Sequence, residues 1–339
     1  MLKVSSTPLV EAHDLVMFDL DGVVYVSGEG IDGVAERIER LRAGGTHVAF
    51  VTNNASRTPQ QVAAVMAKAG VPASAAEVVT SAQAAARLLA EQHGEGASIL
   101  LLGGAGLEEA LLEQGLRPVT DPDGAVAVVS GYGPDVRWKE VMRAATLVRD
   151  GLPYVASNAD LTIPTSYGLA PGHGVLVATI SGFAGIEPVV AGKPQRPLMD
   201  ETVRRVGGER PLMVGDRLDT DIEGAAAIGA PSLLVLTGVT WLEELVAAPP
   251  RLRPTYISPD TEGLFEPHPV PEAQGAAVTL GGWTGQVDDG RLEVTGTGSD
   301  ADWWRVAATV AWEHLDATGT AADVSATRVP GPRRRVGAE

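Results

Sequence analysis

The chain of 339 residues contains no cysteine, which excludes a disulfide framework and any zinc site built on thiolates. It has no uncharged apolar run approaching the roughly 20 residues that a membrane-spanning helix needs. Its first residues lack the apolar core of a secretory signal peptide. The six histidines are scattered, without the spacing of metal ligands. We therefore expect a cytoplasmic protein that does not insert into a membrane.

Positive charge is scarce as well. The chain has 26 Lys and Arg residues against 43 Asp and Glu residues, a formal net charge of −17. A protein that binds duplex nucleic acid needs a basic face, so this class is excluded. The chain as a whole would repel an anionic substrate, so a phosphate site would need its own local cations. The three arginines at residues 333–335 are interpreted as part of a solvated tail.

Apolar runs alternate with amphipathic helical patterns along most of the chain, an order that predicts parallel sheets covered by helices. Polar residues gather at the ends of the predicted strands near both ends of this region, but not in its middle. We therefore predict one core domain from residues 1–80 and 179–262, with residues 81–178 inserted as a second α/β domain. A proline-rich linker at residues 263–275 precedes a small α+β region at residues 276–339, which ends in a flexible tail.

Four predicted strand ends carry polar side chains. They are Asp19 with Asp21; Thr52, Asn53 and Asn54; Lys193; and Asp216 with Asp219 and Asp221. Ligands of open α/β sheets bind at the carboxyl ends of the strands. An Asp-Gly pair alone is a common turn signal, so no single stretch decides the matter. Taken together, the four stretches predict one site whose parts lie far apart in the sequence.

The residue types at these strand ends favour phosphoryl transfer. Converging carboxylates raise one another's pKa unless a cation neutralises them, and oxygen ligands suit Mg²⁺. The cation and Lys193 would offset the charge of a phosphate ester, and Thr52 would offer a hydroxyl group. One aspartate can attack phosphorus to give an aspartyl-phosphate. A second can protonate the leaving alkoxide and then deprotonate water.

Four stretches resemble, in order, the four motifs of the haloacid dehalogenase superfamily phosphatases. They are "DLDGVVY", "VTNNAS", "GKP" and "GDRLDTDI". The lysine in "GKP" and the segment at residues 157–180 resemble subfamily IIA, the p-nitrophenylphosphatase-like group. Its members insert a large α/β cap between the second and third motifs. The resemblance covers residues 15–238 and implies a Rossmann-like parallel sheet core, the haloacid dehalogenase fold, with a large cap.

The resemblance also implies roles for the acidic residues. Asp19 matches the nucleophile and Asp21 the general acid and base. The Mg²⁺ ligands would be Asp19, the backbone carbonyl of Asp21, and Asp216. Asp221 would either support the site or be an acid in the first turn of a helix, where the helix dipole favours it. For Asp219 we favour a helix N-cap over a metal ligand.

The other motif residues match substrate-binding positions. Thr52 and Asn53 resemble residues of the phosphate site, Asn54 would lie beside the substrate, and Lys193 would neutralise the phosphate. In the cap, residues 130–135 and 157–164 are the expected specificity loops.

The expected activity is that of a Mg²⁺-dependent phosphomonoester hydrolase acting on a small phosphorylated metabolite. Within the superfamily the resemblance, C-terminal region included, is to glycerol-3-phosphate phosphatases. Phosphoglycolate, sugar phosphates, nucleotides and p-nitrophenyl phosphate remain alternative substrates, and phosphotransfer to an alcohol remains an alternative reaction. The resemblance also implies a possible homodimer.

The C-terminal region resembles a truncated acetyltransferase in its position and its strand–strand–helix order. The stretch "VTGTGSD" before the helix is either a glycine-rich anion turn or a simple helix start with Ser299 or Asp300 as N-cap. The acetyl-CoA signature needs a glycine three residues after its first Arg or Gln, but Val294 follows Arg291 at that spacing. This disfavours a bifunctional protein that binds coenzyme A. The apolar residues of the helix are expected to pack on a small sheet or on the core domain.

Overall fold

The computed structural model describes residues 2–165, 168–275 and 277–331. The three arginines at 333–335 and the end of the predicted flexible tail lie outside these residues. The chain divides into two compact units. The first joins the segment up to Val48 to the segment from Gly208 onward, and the second runs from Ala49 to Gly207. The domain boundaries predicted at residues 80, 179 and 262 stay a prediction.

The described residues form helices and strands in an order that alternates through most of the chain. The helices are α1 (Leu9–Ala12), α2 (Val34–Ala43), α3 (Pro59–Lys68), α4 (Ser81–His93), α5 (Ala105–Glu113), α6 (Trp138–Arg149), α7 (His173–Ala184), α8 (Arg196–Val206), α9 (Glu223–Ala227), α10 (Leu242–Val246) and α11 (Asp300–Thr318). The strands are β1 (Leu15–Phe18), β2 (Tyr25–Val26), β3 (Glu29–Gly30), β4 (His47–Thr52), β5 (Val78–Thr80), β6 (Ser98–Leu102), β7 (Arg117–Val119), β8 (Ala127–Ser130), β9 (Tyr154–Ala156), β10 (Thr162–Thr165), β11 (Gly168–Pro171), β12 (Val189–Val190), β13 (Pro211–Gly215), β14 (Ser232–Val235), β15 (Tyr256–Ser258), β16 (Glu272–Gln274), β17 (Ala277–Leu280), β18 (Trp283–Asp288) and β19 (Arg291–Gly296). Short 3₁₀ turns lie at Ala75–Glu77, Pro250–Leu252 and Thr261–Phe265, and a π-helical turn at Leu218–Ile222.

In the first unit, β15, β14, β13 and β1 form a parallel sheet in that order. All four residues of β1 are buried, as are the last four residues of β13. Burial on both faces explains why these strands are uninterrupted apolar runs rather than alternating patterns. The pairing of Phe18 with Val214 brings the carboxyl ends of β1 and β13 side by side. The residues that follow these two strands are therefore neighbours.

The first unit also contains the small C-terminal region, in which β16 to β19 form an antiparallel sheet in chain order. Helix α11 begins at Ser299, whose hydroxyl accepts the backbone N–H of its third residue at 3.1 Å. Trp304 packs edge-on against Trp241 at 5.0 Å between ring centroids, and the Trp312 indole donates to the Leu245 carbonyl at 2.7 Å. Helix α11 thus packs on both the small sheet and the core, as predicted. Strand β16 lies within the stretch predicted as a linker.

The second unit contains a five-stranded parallel sheet in the order β12–β9–β8–β6–β7. Strands β4 and β5 pair in parallel, and β10 and β11 form an antiparallel pair. Helix α3 starts at Thr58, which forms a reciprocal capping box with Gln61, and Pro59 follows as the first helical residue. The predicted α/β class with a small α+β C-terminal region is confirmed.

Of the helices in the described part of the chain, none is both long and apolar enough to cross a membrane.

Candidate active site

Three carboxylates meet in the first unit. Asp19 follows β1, Asp216 follows β13, and Asp221 lies in the π-helical turn after β13. One carboxylate oxygen from each lies within 4.8 Å of the others. Asp216 and Asp221 are fully buried and Asp19 is partly exposed. We call these three residues the acidic cluster; the parallel pairing of β1 and β13 brings two of them together.

Backbone N–H groups hold the two buried members in place. The Asp221 Oδ2 atom accepts the N–H of Asp216 at 3.2 Å and of Arg217 at 3.1 Å. The Asp216 Oδ2 atom accepts the N–H of Val239 at 2.6 Å. The N-cap role favoured for Asp219 is wrong, because Arg217 occupies that position. The Asp219 carboxylate is exposed and accepts two hydrogen bonds from the Arg217 guanidinium, at 3.1 and 2.8 Å.

Three glycines let the backbone approach these carboxylates closely. A Cβ atom on Gly22, whose φ is +90°, would lie 2.5 Å from the Asp216 Oδ2 atom. A Cβ atom on Gly238 would lie 2.0 Å from the same oxygen, and one on Gly215 would lie 2.2 Å from the Cβ atom of Asp221. None of these positions accepts a larger side chain without moving a carboxylate. Sequence reasoning missed Gly238, since a single glycine far from the motifs carries no signal of its own.

Asp21 lies in a tight turn directly after β1. The N–H of Gly22 donates to the Tyr25 carbonyl at 2.9 Å, and the Thr237 hydroxyl donates to the Gly22 carbonyl at 2.6 Å. These bonds fix the turn while the Asp21 residue itself is exposed. An exposed carboxylate in a fixed turn can exchange protons with solvent and with a bound molecule.

A second group of predicted site residues meets in the second unit. Asn53 and Lys193 bond reciprocally: the Lys193 N–H donates to Asn53 Oδ1 at 2.8 Å, and Asn53 Nδ2 donates to the Lys193 carbonyl at 3.0 Å. The Lys193 side chain is 3% exposed, and its ammonium donates to the Val51 carbonyl at 3.2 Å. The Thr52 hydroxyl accepts the N–H of Asn54 at 3.1 Å. A buried ammonium is a strong fixed charge for an anion.

Asn54 closes the turn that follows β4. Its Oδ1 atom accepts the N–H and the hydroxyl of Ser56, both at 2.9 Å, and the N–H of Arg57 at 3.4 Å. This is the side-chain turn that asparagine forms readily. The turn fixes the backbone between β4 and α3, on which Thr52 and Asn53 also lie.

Three further residues hold Asn53, and sequence reasoning did not connect them with it. The Asn53 carbonyl accepts from the Ser81 hydroxyl at 2.6 Å and from Asn158 Nδ2 at 2.7 Å. The Asn53 side-chain amide also donates to the Asp160 carboxylate at 3.1 and 3.2 Å. Asn158 and Asp160 belong to the loop at residues 157–164, whose role in specificity stays a prediction. No local pattern could have predicted the contacts of Asn158 and Asp160 with Asn53, which join residues more than 100 positions apart.

The predicted site residues are thus brought together in two sets, one in each unit. The first set is the acidic cluster with Asp21, and the second is Thr52, Asn53, Asn54 and Lys193. The expectation that both sets serve one site stays a prediction.

The acidic cluster fits a hard divalent cation. Its three ligand atoms are all carboxylate oxygens, the donors that Mg²⁺ prefers. Buried like charges at this separation repel strongly unless a cation offsets them. The donor chemistry of these residues therefore suits Mg²⁺ rather than a metal that prefers sulfur or nitrogen.

Comparison with known proteins places the chain among hydrolases. The family model described as haloacid dehalogenase-like hydrolase matches residues 16–117, and the HAD-hydrolase-like model matches residues 190–264. The D-glycerol 3-phosphate phosphatase of Mycobacterium tuberculosis is 42% identical over 295 residues, which cover 87% of this chain and 82% of the relative. An acid sugar phosphatase of Staphylococcus saprophyticus is 36% identical over 74% of this chain and 96% of the relative.

Solved structures give the same result. The glycerol phosphate phosphatase from Mycobacterium tuberculosis, in complex with magnesium, superposes with a TM-score of 0.81 at 38% identity, over 97% of this chain and 94% of that one. The 4-nitrophenylphosphatase from Thermotoga maritima superposes with a TM-score of 0.69 at 29% identity, over 74% and 96%. The resemblance to the haloacid dehalogenase superfamily and to its p-nitrophenylphosphatase-like members is confirmed. The chain belongs to the haloacid dehalogenase-like hydrolases.

Proposed function

We propose that this protein is a Mg²⁺-dependent phosphomonoester phosphatase whose substrate is glycerol 3-phosphate. The acidic cluster carries the proposal. Three carboxylates within 4.8 Å, two of them fully buried, are costly without a cation and are useful with one. A nucleophilic carboxylate beside a divalent cation suits transfer of a phosphoryl group.

The choice of substrate rests on how much of the chain the relatives share. The acid sugar phosphatase and the 4-nitrophenylphosphatase each match only 74% of this chain, although the matches cover 96% of their own lengths. The glycerol phosphate phosphatase structure matches 97% of this chain, so the likeness extends into the C-terminal region. This favours glycerol 3-phosphate over a sugar phosphate, phosphoglycolate, a nucleotide or p-nitrophenyl phosphate.

The metal ligands would be Asp19, the backbone carbonyl of Asp21, and Asp216, with Asp221 as the supporting carboxylate. Bound Mg²⁺ supplies positive charge that offsets the charge of the phosphate ester. Asp221 keeps Asp216 in place through the backbone, because its carboxylate accepts the Asp216 N–H.

The reaction uses two carboxylates in different roles. Asp19 attacks phosphorus, and the bond between phosphorus and the glycerol oxygen breaks. Asp21 donates its proton to the leaving alkoxide, which departs as glycerol and leaves an aspartyl-phosphate on Asp19. Asp21 then accepts a proton from water as the water oxygen attacks phosphorus. Phosphate leaves, and the Asp19 carboxylate and the protonated Asp21 are restored.

The second set of residues holds the phosphate group. We assign the Thr52 hydroxyl and the Lys193 ammonium to the phosphate oxygens, and Asn54 to the edge of the substrate. Both ends of the Asn53 side-chain amide are already hydrogen-bonded to the backbone of Lys193, and its NH₂ group also to Asp160. Asn53 therefore contributes by fixing Lys193 at a defined place.

The test is phosphate release from a panel of glycerol 3-phosphate, phosphoglycolate, sugar phosphates, nucleotides and p-nitrophenyl phosphate. We expect glycerol 3-phosphate to lead, EDTA to stop the reaction and added Mg²⁺ to restore it. Asp19→Asn should be inactive, whereas Asp219→Asn, the same change at an exposed carboxylate, should be as active as the wild type. A different leading ester would overturn the substrate, and a wild type that releases no phosphate from any ester would overturn the reaction.

Two alternative functions have their own measurements. Phosphorylated products formed from added acceptor alcohols would reveal a phosphotransferase. Tight binding of acetyl-CoA by calorimetry would support the bifunctional reading of the C-terminal region, which we do not expect. We also propose that the protein is cytoplasmic and forms a homodimer. For the homodimer, light scattering on the purified protein should give twice the mass of the chain.

A further inference from the structure

A chain of buried polar side chains runs through the second unit without touching the proposed reacting groups. The hydroxyl oxygens of Tyr154 and Ser130 lie 2.7 Å apart, and the Ser130 hydroxyl lies 2.9 Å from His173 Nε2. His173 Nδ1 lies 2.8 Å from the backbone carbonyl of Asn158. All four residues are buried. We call Tyr154, Ser130, His173 and Asn158 the polar chain.

The hydrogen bonds of the polar chain have only one consistent direction. The Asn158 carbonyl can only accept, so His173 Nδ1 carries the hydrogen. Burial lowers the pKa of His173 to about 4, so the ring is neutral near pH 7 and Nε2 accepts from the Ser130 hydroxyl. Ser130 has then used its one hydrogen, and the Tyr154 hydroxyl must donate to it.

The polar chain ends on the residues that hold Asn53. The Asn158 side chain donates to the Asn53 carbonyl at 2.7 Å and accepts the Asp160 N–H at 3.2 Å. The first turn of α7, which carries His173, holds the same loop, because the Gly174 N–H donates to the Asp160 carbonyl at 2.8 Å. A Cβ atom on Gly174 would lie 2.2 Å from the Ala159 carbonyl oxygen, so helix and loop are in direct backbone contact.

We propose that His173 is a positioning residue for the phosphatase reaction. Its Nδ1–H group fixes the backbone of Asn158, the Asn158 side chain fixes Asn53, and Asn53 fixes the backbone of Lys193. The inference rests on the proposed function, in which Lys193 neutralises the phosphate. Loss of the Nδ1–H donor displaces the lysine and lowers kcat, while the KM for the small substrate changes little.

Two isosteres of histidine separate its two nitrogens. His173→Asn places an amide nitrogen near the Nδ1 position and keeps the donor to Asn158. His173→Gln places its amide near the Nε2 position and keeps the contact with Ser130 only. We expect kcat to fall by about 10- to 100-fold in His173→Gln and by no more than about threefold in His173→Asn, because small displacements of positioning groups cost this much. Tyr154→Phe, at the far end of the polar chain, should stay within about twofold.

Thermal midpoints separate positioning from simple stability. If His173 only stabilised the fold, kcat would fall in step with the thermal midpoint in His173→Asn, His173→Gln and Tyr154→Phe. That result would overturn the proposal. So would a His173→Gln enzyme within twofold of the wild-type kcat, while an inactive Asp19→Asn variant would keep the proposed function intact. A wild type that releases no phosphate would overturn both.

A spectroscopic measurement tests the geometry without activity. Long-range ¹H–¹⁵N spectra of the ¹⁵N-histidine-labelled wild type should show His173 as the neutral Nδ1–H tautomer at pH 7 and still at pH 5. The signal should be absent from His173→Asn, which assigns it. An Nε2–H tautomer at His173 would overturn the proposal even if every variant folds poorly.

Discussion

Replacement of Asp221 by asparagine removes one negative charge from the acidic cluster and little else. The amide oxygen can still accept the backbone N–H groups of Asp216 and Arg217 that the carboxylate accepts now. The side chain is fully buried and hardly changes in volume, so no cavity forms. The variant therefore separates the charge of Asp221 from its role as a backbone acceptor.

The magnitude follows from the distances within the cluster. Two unit charges at the 4.8 Å limit of this cluster repel by about 3.5 kcal/mol at an effective dielectric constant near 20, and by about 1 kcal/mol in water. Removing one charge removes this repulsion. It also weakens the two hydrogen bonds that the Asp221 side chain accepts, by about 0.5–1.5 kcal/mol each, because a neutral amide oxygen is a weaker acceptor than a carboxylate. Without metal, the free energy of unfolding should therefore stay the same or rise slightly. With metal, a doubly charged cation loses one of its attracting charges, so Mg²⁺ affinity should fall by about tenfold or more.

The assay is thermal unfolding at increasing Mg²⁺ concentration, since a ligand that binds only the folded state raises the midpoint by mass action. The wild-type midpoint should rise with Mg²⁺. Asp221→Asn should begin at an equal or higher midpoint and need about ten times more Mg²⁺ for the same rise. Asp219→Asn, the same change two residues away on an exposed side chain, should follow the wild type. A variant that is less stable without Mg²⁺ but responds like the wild type would show that Asp221 acts only as a backbone acceptor.

Three further substitutions test the surroundings of the site and the C-terminal region. Gly238→Ala would place a Cβ atom 2.0 Å from a carboxylate oxygen of the acidic cluster and should abolish the Mg²⁺ response, whereas Gly182→Ala, with no atom within 4 Å of its Cβ, should stabilise α7 slightly. Trp304→Ala should lower the free energy of unfolding in urea by about 3–5 kcal/mol. Trp138→Ala, at a side chain that is 64% exposed, should lower it by less than about 0.5 kcal/mol. Burial lowers the pKa of His268 to about 4, below the usual 6.5. The free energy of unfolding should therefore decrease as the pH falls from 6.5 towards 4. His268→Gln should reduce the slope of the melting midpoint against pH over this range. A control that changes as much as its partner, or a slope unaltered in His268→Gln, would contradict the corresponding argument.

The elements with strong local signals were the ones that sequence reasoning predicted. Strands β1 and β13 are buried on both faces, so they are continuous apolar runs ending at a charged residue. The start of α3 has a similarly local signal, because Thr58 is its N-cap and Pro59 its first helical residue. Strand β16, at Glu272–Gln274, was missed because all three of its residues are exposed, so no burial pattern marks it. Only its pairing with β17 makes it a strand, and pairing is not a local property.

The residues of the site also differ in whether a local pattern in the sequence marks them. Asp19 and Asp216 could be named from the sequence because charged residues that end buried strands are unusual and have few uses other than chemistry. Lys193 was named as the end of a predicted strand, although β12 before it has only two residues and neither is buried. The six histidines were noted only as lacking the spacing of metal ligands. Nothing near His173 along the chain indicated that both of its ring nitrogens are hydrogen-bonded in the interior. A group that meets a substrate is limited to a few residue types, whereas a group that orients it can be any donor or acceptor that the fold brings near. The orienting residues are therefore visible only in the structure, and for that reason variants such as His173→Gln test the structure more severely than variants of the motif residues.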